Sequence, residues 1–436
     1  MSVWDSIVGQ QQVVDQLTAV STGDARGIAQ SWLICGPAGS GTTQVARAFA
    51  AALESPDHGL SDTPTKTSAQ ILAGRFPDVV TLRTDKVTIG IDEVRELVTL
   101  SEQMPSTAPW RIIIIENTER MLERTTNVLL KEIEEPSPHT IWLLCAPSAQ
   151  DVLPTIRSRT RLVTLGVPQP EQIAQYLEEH VTVEETADTR SSAAARKTGA
   201  RKSSARQSKN GNNTAEKTAQ SASAAPATAP RPVTHEVAAR IARLCEGDLN
   251  VARLYAQYPS VLKDRDRLVA NIVTMRRASQ AVIFAGQLYG SAQSQAQDRA
   301  ERAADERQQE FRTLNGLSAD EPMPSELRRA YVALGKKDDI KRQATRLTRD
   351  VLERAFTTIS SIYRDVAVFQ NDAEESVGLI NLENRNEIAE LSTALTREQT
   401  VARLDAVAEA RRRIAGNGNA LLDVEALFCA LLPASA

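Results

Sequence analysis

Short apolar runs and one-sided helical patterns alternate along the first 166 residues. Residues 31–35 (Ser-Trp-Leu-Ile-Cys) form an apolar run that meets Gly36. Residues 43–53 then place Val45, Ala46, Phe49, Ala50 and Leu53 on one face, which predicts a strand, a turn and a helix. Residues 78–82 predict a strand, 91–100 an amphipathic helix through Ile91, Val94, Leu97 and Val98, and 111–115 a fully buried strand. A helix begins near Thr126 and stops before Pro136, because proline cannot continue it. Residues 140–145 and 161–165 are two further apolar strands separated by a loop. Strands alternating with helices predict an α/β fold, a mostly parallel sheet with helices on both faces.

The pattern stops at 189–232, which contains no Leu, Ile, Val, Met, Phe, Trp or Tyr. Such a segment cannot bury enough apolar area to offset its ordering entropy, so it is expected to be a disordered insertion. After it the pattern is helical. Short helices are expected over 237–244 and 249–255, and longer helical segments over 261–288, 292–311, 325–334, 340–369, 387–413 and 420–432. The 292–311 stretch alternates charges and has few large apolar side chains, so it reads as a solvated helix or a poorly ordered connection.

Composition changes this picture in two places. The 436 residues, 42% hydrophobic and 24% charged, are ordinary for a soluble chain of about three domains. Aromatic residues make up only 4%, which favours a helix-rich fold. With 51 basic and 55 acidic residues the net charge is −4, a balance that announces neither a nucleic-acid nor an anionic-membrane binder. That average conceals the insertion, where nine basic residues face Glu216 alone: it carries +8, and the rest of the chain −12. The insertion reads first as a solubilising spacer, with nonspecific contact to DNA phosphates as the alternative. No apolar run reaches the roughly 18 residues of a membrane span, and the opening Met-Ser-Val-Trp-Asp lacks signal-peptide character, so a cytoplasmic protein is expected. Cys35, Cys145, Cys245 and Cys429 are scattered singly, which argues for reduced thiols and against a zinc site.

The candidate chemistry starts at Gly36-Pro-Ala-Gly-Ser-Gly-Thr-Thr43, between a predicted strand and a predicted helix. This is the setting in which a Walker A loop wraps nucleotide phosphates with backbone N–H groups. Gly36, Gly39, Gly41, Thr42 and Thr43 are the candidate phosphate-loop residues. The position that should be Lys is Thr42, whose hydroxyl neither reaches the β and γ phosphates nor supplies charge. The strand 112–115 ends in Glu116-Asn117, where a hydrolytic P-loop protein has Asp-Glu, and an Asn amide cannot accept a proton.

A third element, Pro154-Thr-Ile-Arg-Ser-Arg-Thr160, follows the 140–145 strand. With it the chain resembles the clamp-loader branch of the AAA+ family. The matching segments are Val8-Gly-Gln10, the Gly36 loop, Ile89-Gly-Ile-Asp-Glu-Val-Arg-Glu-Leu97, Asn127-Val-Leu-Leu-Lys-Glu-Ile-Glu-Glu-Pro136 and Ser158-Arg-Thr160, in place of the family's Ser-Arg-Cys. They cover most of residues 1–166.

The resemblance implies an AAA+ P-loop module over 1–166, a small helical lid over 167–258 interrupted by the insertion, and an all-α collar domain over 259–436. It implies that Arg159, with Ser158 beside it, reaches the nucleotide of a neighbouring subunit as an arginine finger. Arg157 and Arg161 compete for that assignment. The sensor position after 140–145 reads Cys145-Ala-Pro147, and the lid motif Gly-Ser-Leu-Arg reads Gly247-Asp-Leu-Asn250, so two more nucleotide contacts are missing. The implied function is a non-hydrolysing subunit with no required cofactor, ATP being bound by neighbours. Its implied partners are the loader's ATPase (gamma/tau) and delta subunits, the sliding clamp and, indirectly, primed DNA, with no membrane. Many members carry a four-cysteine zinc module after the first helix, yet 54–69 has no Cys and only His58, so no zinc is expected. Two other readings stay open at this point: a working P-loop ATPase, and a nucleic-acid-binding protein acting through its basic insertion.

Overall fold

Five apolar segments pair in parallel because each is too short and too apolar to stand in water alone. The computed structural model describes residues 2–23, 27–84, 88–183, 231–318, 321–416 and 418–432. The strands are β1 (Ser31–Cys35), β2 (Val79–Leu82), β3 (Arg111–Ile115), β4 (Thr140–Ala146) and β5 (Arg161–Thr164), in the order β2-β3-β4-β1-β5. β1, β3 and β4 are buried at every position, as central parallel strands covered on both faces must be. The registers Ile113↔Trp142 and Trp32↔Leu143 place β4 between β1 and β3. Their C-terminal ends therefore share one edge, where open α/β sheets bind ligands.

The helices that cover this sheet are α1 (Gln11–Ser21), α2 (Thr42–Glu54), α3 (Lys66–Leu72), α4 (Ile91–Ser101), α5 (Glu123–Glu134) and the short α6 (Pro154–Arg157). One face packs Trp32, Phe49, Ile112 and Ile114 together, the other Leu33, Ile113, Leu129 and Leu144. α1 and α3 are absent from the pattern-based expectation. α1 presents Val13, Leu17 and Val20 at helical spacing, but only Leu17 of these is fully buried; α3 is seven residues long and buries only Ser68 and Ile71, too short for a periodic stripe.

The chain forms two compact units, Met1–Pro259 and Ser260–Ala436. In the first, α7 (Pro170–His180) and the helices His235–Leu244 and Leu249–Gln257 pack into a small lid. The expected insertion lies outside the described residues except for its last two. Arg231–Pro232 (β7), expected to be disordered, instead pairs antiparallel with Thr182–Val183 (β6). Val183 and Arg231 are direct partners, so the chain leaves and re-enters the lid at one point. Gln10, the N-cap of α1, holds the segment that leaves β5: its Nε2 donates to the Gly166 carbonyl at 2.8 Å, and its Oε1 accepts from the Gly166 N–H at 3.0 Å.

The second unit is helical among its described residues. Its core gathers Val269, Ile272, Phe356, Ile359, Tyr363, Val424 and Phe428. The expected 261–288 helix is two, Pro259–Thr274 and Ala278–Leu314, and the expected 387–413 helix is two, Arg385–Ala394 and Arg397–Ala415. The second break falls where Thr396 accepts from the Gln399 N–H and starts a new helix. The 292–311 stretch is neither fully solvated nor a loose connection. It belongs to the 37-residue helix Ala278–Leu314, and Ala292, Ala296, Ala300 and Ala304 are 0–2% exposed. An alanine every fourth residue forms one face that approaches the Lys337–Gln370 helix closely. No helix among the described residues is long and apolar enough to cross a membrane.

Candidate functional site

The ends of β1, β3 and β4 build the candidate site. After β1 the chain turns through Gly39 and Gly41 with φ of 81° and 91°, left-handed values that side chains resist. Gly41 is the N-cap of α2, and Thr42 and Thr43 open that helix. Ser40 is buried inside the turn, its hydroxyl without a partner. Position 42, which opens α2, carries a neutral side chain.

The lid rests on this loop. A Cβ on Gly39 would lie 2.5 Å from Asp248 Cα, so only glycine fits beneath the lid. The Leu249 N–H donates to the Gly39 carbonyl at 3.2 Å. Asp248 caps the Leu249–Gln257 helix, accepting from the Asn250 and Val251 N–H groups at 2.8 and 3.1 Å. Gln44 Nε2 donates to Asn250 Oδ1 at 3.1 Å. The residue at the resembled sensor-arginine position is thus tied to the helix that follows the loop.

At the end of β3, Glu116 faces two guanidinium groups, Arg47 Nη2 at 3.6 Å and Arg83 Nε at 3.7 Å. Asn117 follows in a left-handed conformation, φ 56°. At the end of β4 the Ala146 carbonyl accepts from the Gly36 N–H at 3.2 Å. Burial pushes the Cys145 thiol well above its ordinary range. Burial pushes Cys35 up to about 11, with Asp151 and Glu119 adding to it. Both thiols are therefore protonated at neutral pH. Among the described residues no three His, Cys, Asp or Glu side chains are grouped to hold a metal.

The arginine loop lies on α6 and the turn after it. Arg159 is exposed, and its guanidinium is held from three sides: Nε reaches Glu134 Oε1 at 2.5 Å, and Nη1 reaches the Thr155 carbonyl at 3.0 Å and Ser158 Oγ at 3.2 Å. Its two sequence neighbours are placed differently. Arg157 donates to the Ala149 carbonyl at 3.5 Å, and Arg161, on β5, lies 4.9 Å over the Trp32 ring. The motif identified the loop, whereas the partners Glu134 and Trp32, 25 and 129 positions from their arginines, carry no local sequence signal.

The parallel order of the sheet, the glycine loop after β1 and the helical lid define a P-loop module of the AAA+ type. Residues 9–169 match the family described as DNA polymerase III, delta subunit. The chain is 31% identical over 183 residues to DNA polymerase III subunit tau of Escherichia coli, covering 41% of this chain and 28% of that protein. It is 33% identical over 135 residues to DNA polymerase III subunit delta' of Pseudomonas aeruginosa, covering 30% and 41% respectively. A solved structure of a DNA polymerase III gamma subunit-related protein from Thermotoga maritima aligns over 96% of this chain and 98% of that one, at 15% identity and a TM-score of 0.39. Over residues 9–169 the chain is thus similar to subunits of DNA polymerase III. It spans half or less of the length of these curated relatives.

Proposed function

We propose that this chain is a non-hydrolysing subunit of a DNA polymerase III clamp loader, of the delta-prime kind, which supplies Arg159 to the nucleotide held by a neighbouring ATPase subunit. The observation that carries the reading is the contrast between two parts of one module. Arg159 is exposed on an ordered turn, while the module's own phosphate loop lacks its cation at Thr42. Hydrolysis needs charge at the phosphates, a carboxylate free for Mg²⁺ and an acceptor for the water proton. Thr42 is neutral, Glu116 is paired with two arginines, and Asn117 is an amide. The residues present therefore do not fit a hydrolytic nucleotide site.

The lid contacts support the same reading. An ATPase lid is set by nucleotide, but here Leu249 N–H and Asn250 are engaged by the loop and helix themselves. The proposed partners are the ATPase and delta subunits, with the sliding clamp and primed DNA reached through the complex, and the helical second unit serving assembly. The test is equilibrium binding of labelled ATP to the purified chain, alongside co-purification with the ATPase and delta subunits. The reading expects stable assembly and no ATP-dependent change in the chain alone. ATP binding that Gly41→Asp abolishes, together with hydrolysis by the isolated chain, would favour a working ATPase.

A further inference from the structure

We infer that Glu134 is a positioning residue for Arg159: it holds the guanidinium in one orientation, so that the finger reaches a neighbour's phosphate without first having to be ordered. This rests on the reading of Arg159 as a trans-acting finger. Glu134 is the last residue of α5, and Glu135 follows it as the C-cap. A carboxylate there opposes the helix macrodipole, and a half-exposed ion pair adds little stability. The pair is thus close to neutral for folding, and its consequence is orientation.

The geometry specifies that orientation. Arginine has several freely rotating side-chain torsions, and an exposed one samples many rotamers. Glu134 from α5 fixes Nε, and the Thr155 carbonyl and Ser158 hydroxyl from the α6 turn fix Nη1. Partners on two separate elements determine the plane of the guanidinium while its side chain stays 41% exposed. Arg157, with its single contact at 3.5 Å, has no such support. A preset guanidinium avoids ordering cost when charge develops on the transferred phosphoryl group.

The experiment uses the full loader reconstituted with the parental chain or with Glu134→Ala, Glu134→Gln, Arg159→Ala or the Glu134→Ala/Arg159→Ala double variant. It measures the clamp-loading rate against ATP concentration, with assembly checked by gel filtration. Glu134→Ala should lower the maximal rate on the order of tenfold, with the ATP concentration for half-maximal rate and the assembly unchanged. Glu134→Gln should recover part of the loss, since its amide oxygen still accepts from Nε. The double variant should match Arg159→Ala, because Glu134 acts only through the arginine.

If Arg159→Ala slows loading but Glu134→Ala loads at or above the parental rate, the positioning role is wrong and the finger stands. A double variant slower than Arg159→Ala also overturns the positioning role. A parental rate for Arg159→Ala overturns both.

Discussion

Glu54 makes the stability of the first unit depend on pH in a direction opposite to that of most carboxylates. It ends α2, the helix that the phosphate loop opens, and is 5% exposed. Burial pushes its carboxyl from 4.5 up to about 8. The Trp110 backbone and Arg111 pull it down less, and Asp78 adds to the rise. In the folded chain the group is therefore protonated at pH 7, whereas in the unfolded chain it is ionised. Its folded pKa is raised, so its contribution is fully favourable below about pH 4.5 and is lost as pH climbs towards 8. At about 1.4 kcal/mol per pH unit, the loss is about 3 kcal/mol by pH 7.

Glu54→Gln keeps the shape and removes the titration. All four tryptophans, Trp4, Trp32, Trp110 and Trp142, lie in the first unit, so urea unfolding followed by tryptophan fluorescence reports that unit alone. The variant should match the parent near pH 4.5 and exceed it by about 3 kcal/mol at pH 7. Other titrating groups cancel in the comparison. Stability curves that stay parallel from pH 4.5 to 8 would refute the assignment of a buried, protonated Glu54.

Three further outcomes follow from the packing. Gln10→Ala removes both hydrogen bonds to Gly166 and should cost about 2 kcal/mol in the same fluorescence assay. Gly39→Ala places a Cβ 2.5 Å from Asp248 Cα at φ 81°; it should cost about 1–3 kcal/mol and lower hydrogen-exchange protection in the Leu249–Gln257 helix. Ala300→Leu overfills the alanine face of Ala278–Leu314 and should lower the second unit's stability by about 1–3 kcal/mol, read by far-ultraviolet circular dichroism because that unit has no tryptophan.

The strands were the most legible part of the fold. Each run from β1 to β5 is found within a residue or so of its expected bounds; the central strands β1, β3 and β4 are buried on both faces and have no other composition available, while the edge strands β2 and β5 are half-buried and mostly exposed, respectively. Helix breaks were less legible for two different reasons. Thr396 and Gln399 carry a start signal inside an otherwise continuous pattern. By contrast, the break at 275–277 has neither Gly nor Pro; there Arg276 donates to the Val273 and Met275 carbonyls. In the 292–311 stretch the charges dominate the pattern, while the buried alanines have little hydrophobic signal of their own. At the candidate site the missing charges at Thr42 and Asn117 can be read directly. The contacts Gln44–Asn250 and Arg159–Glu134 join residues from different elements, which only tertiary packing brings together.

The most direct test of the account replaces Arg159 by alanine in the assembled loader and measures DNA- and clamp-stimulated ATP hydrolysis with clamp loading. Assembly should be normal, with ATP hydrolysis and clamp loading both slowed about tenfold or more. Hydrolysis and loading at the parental rate would contradict the account.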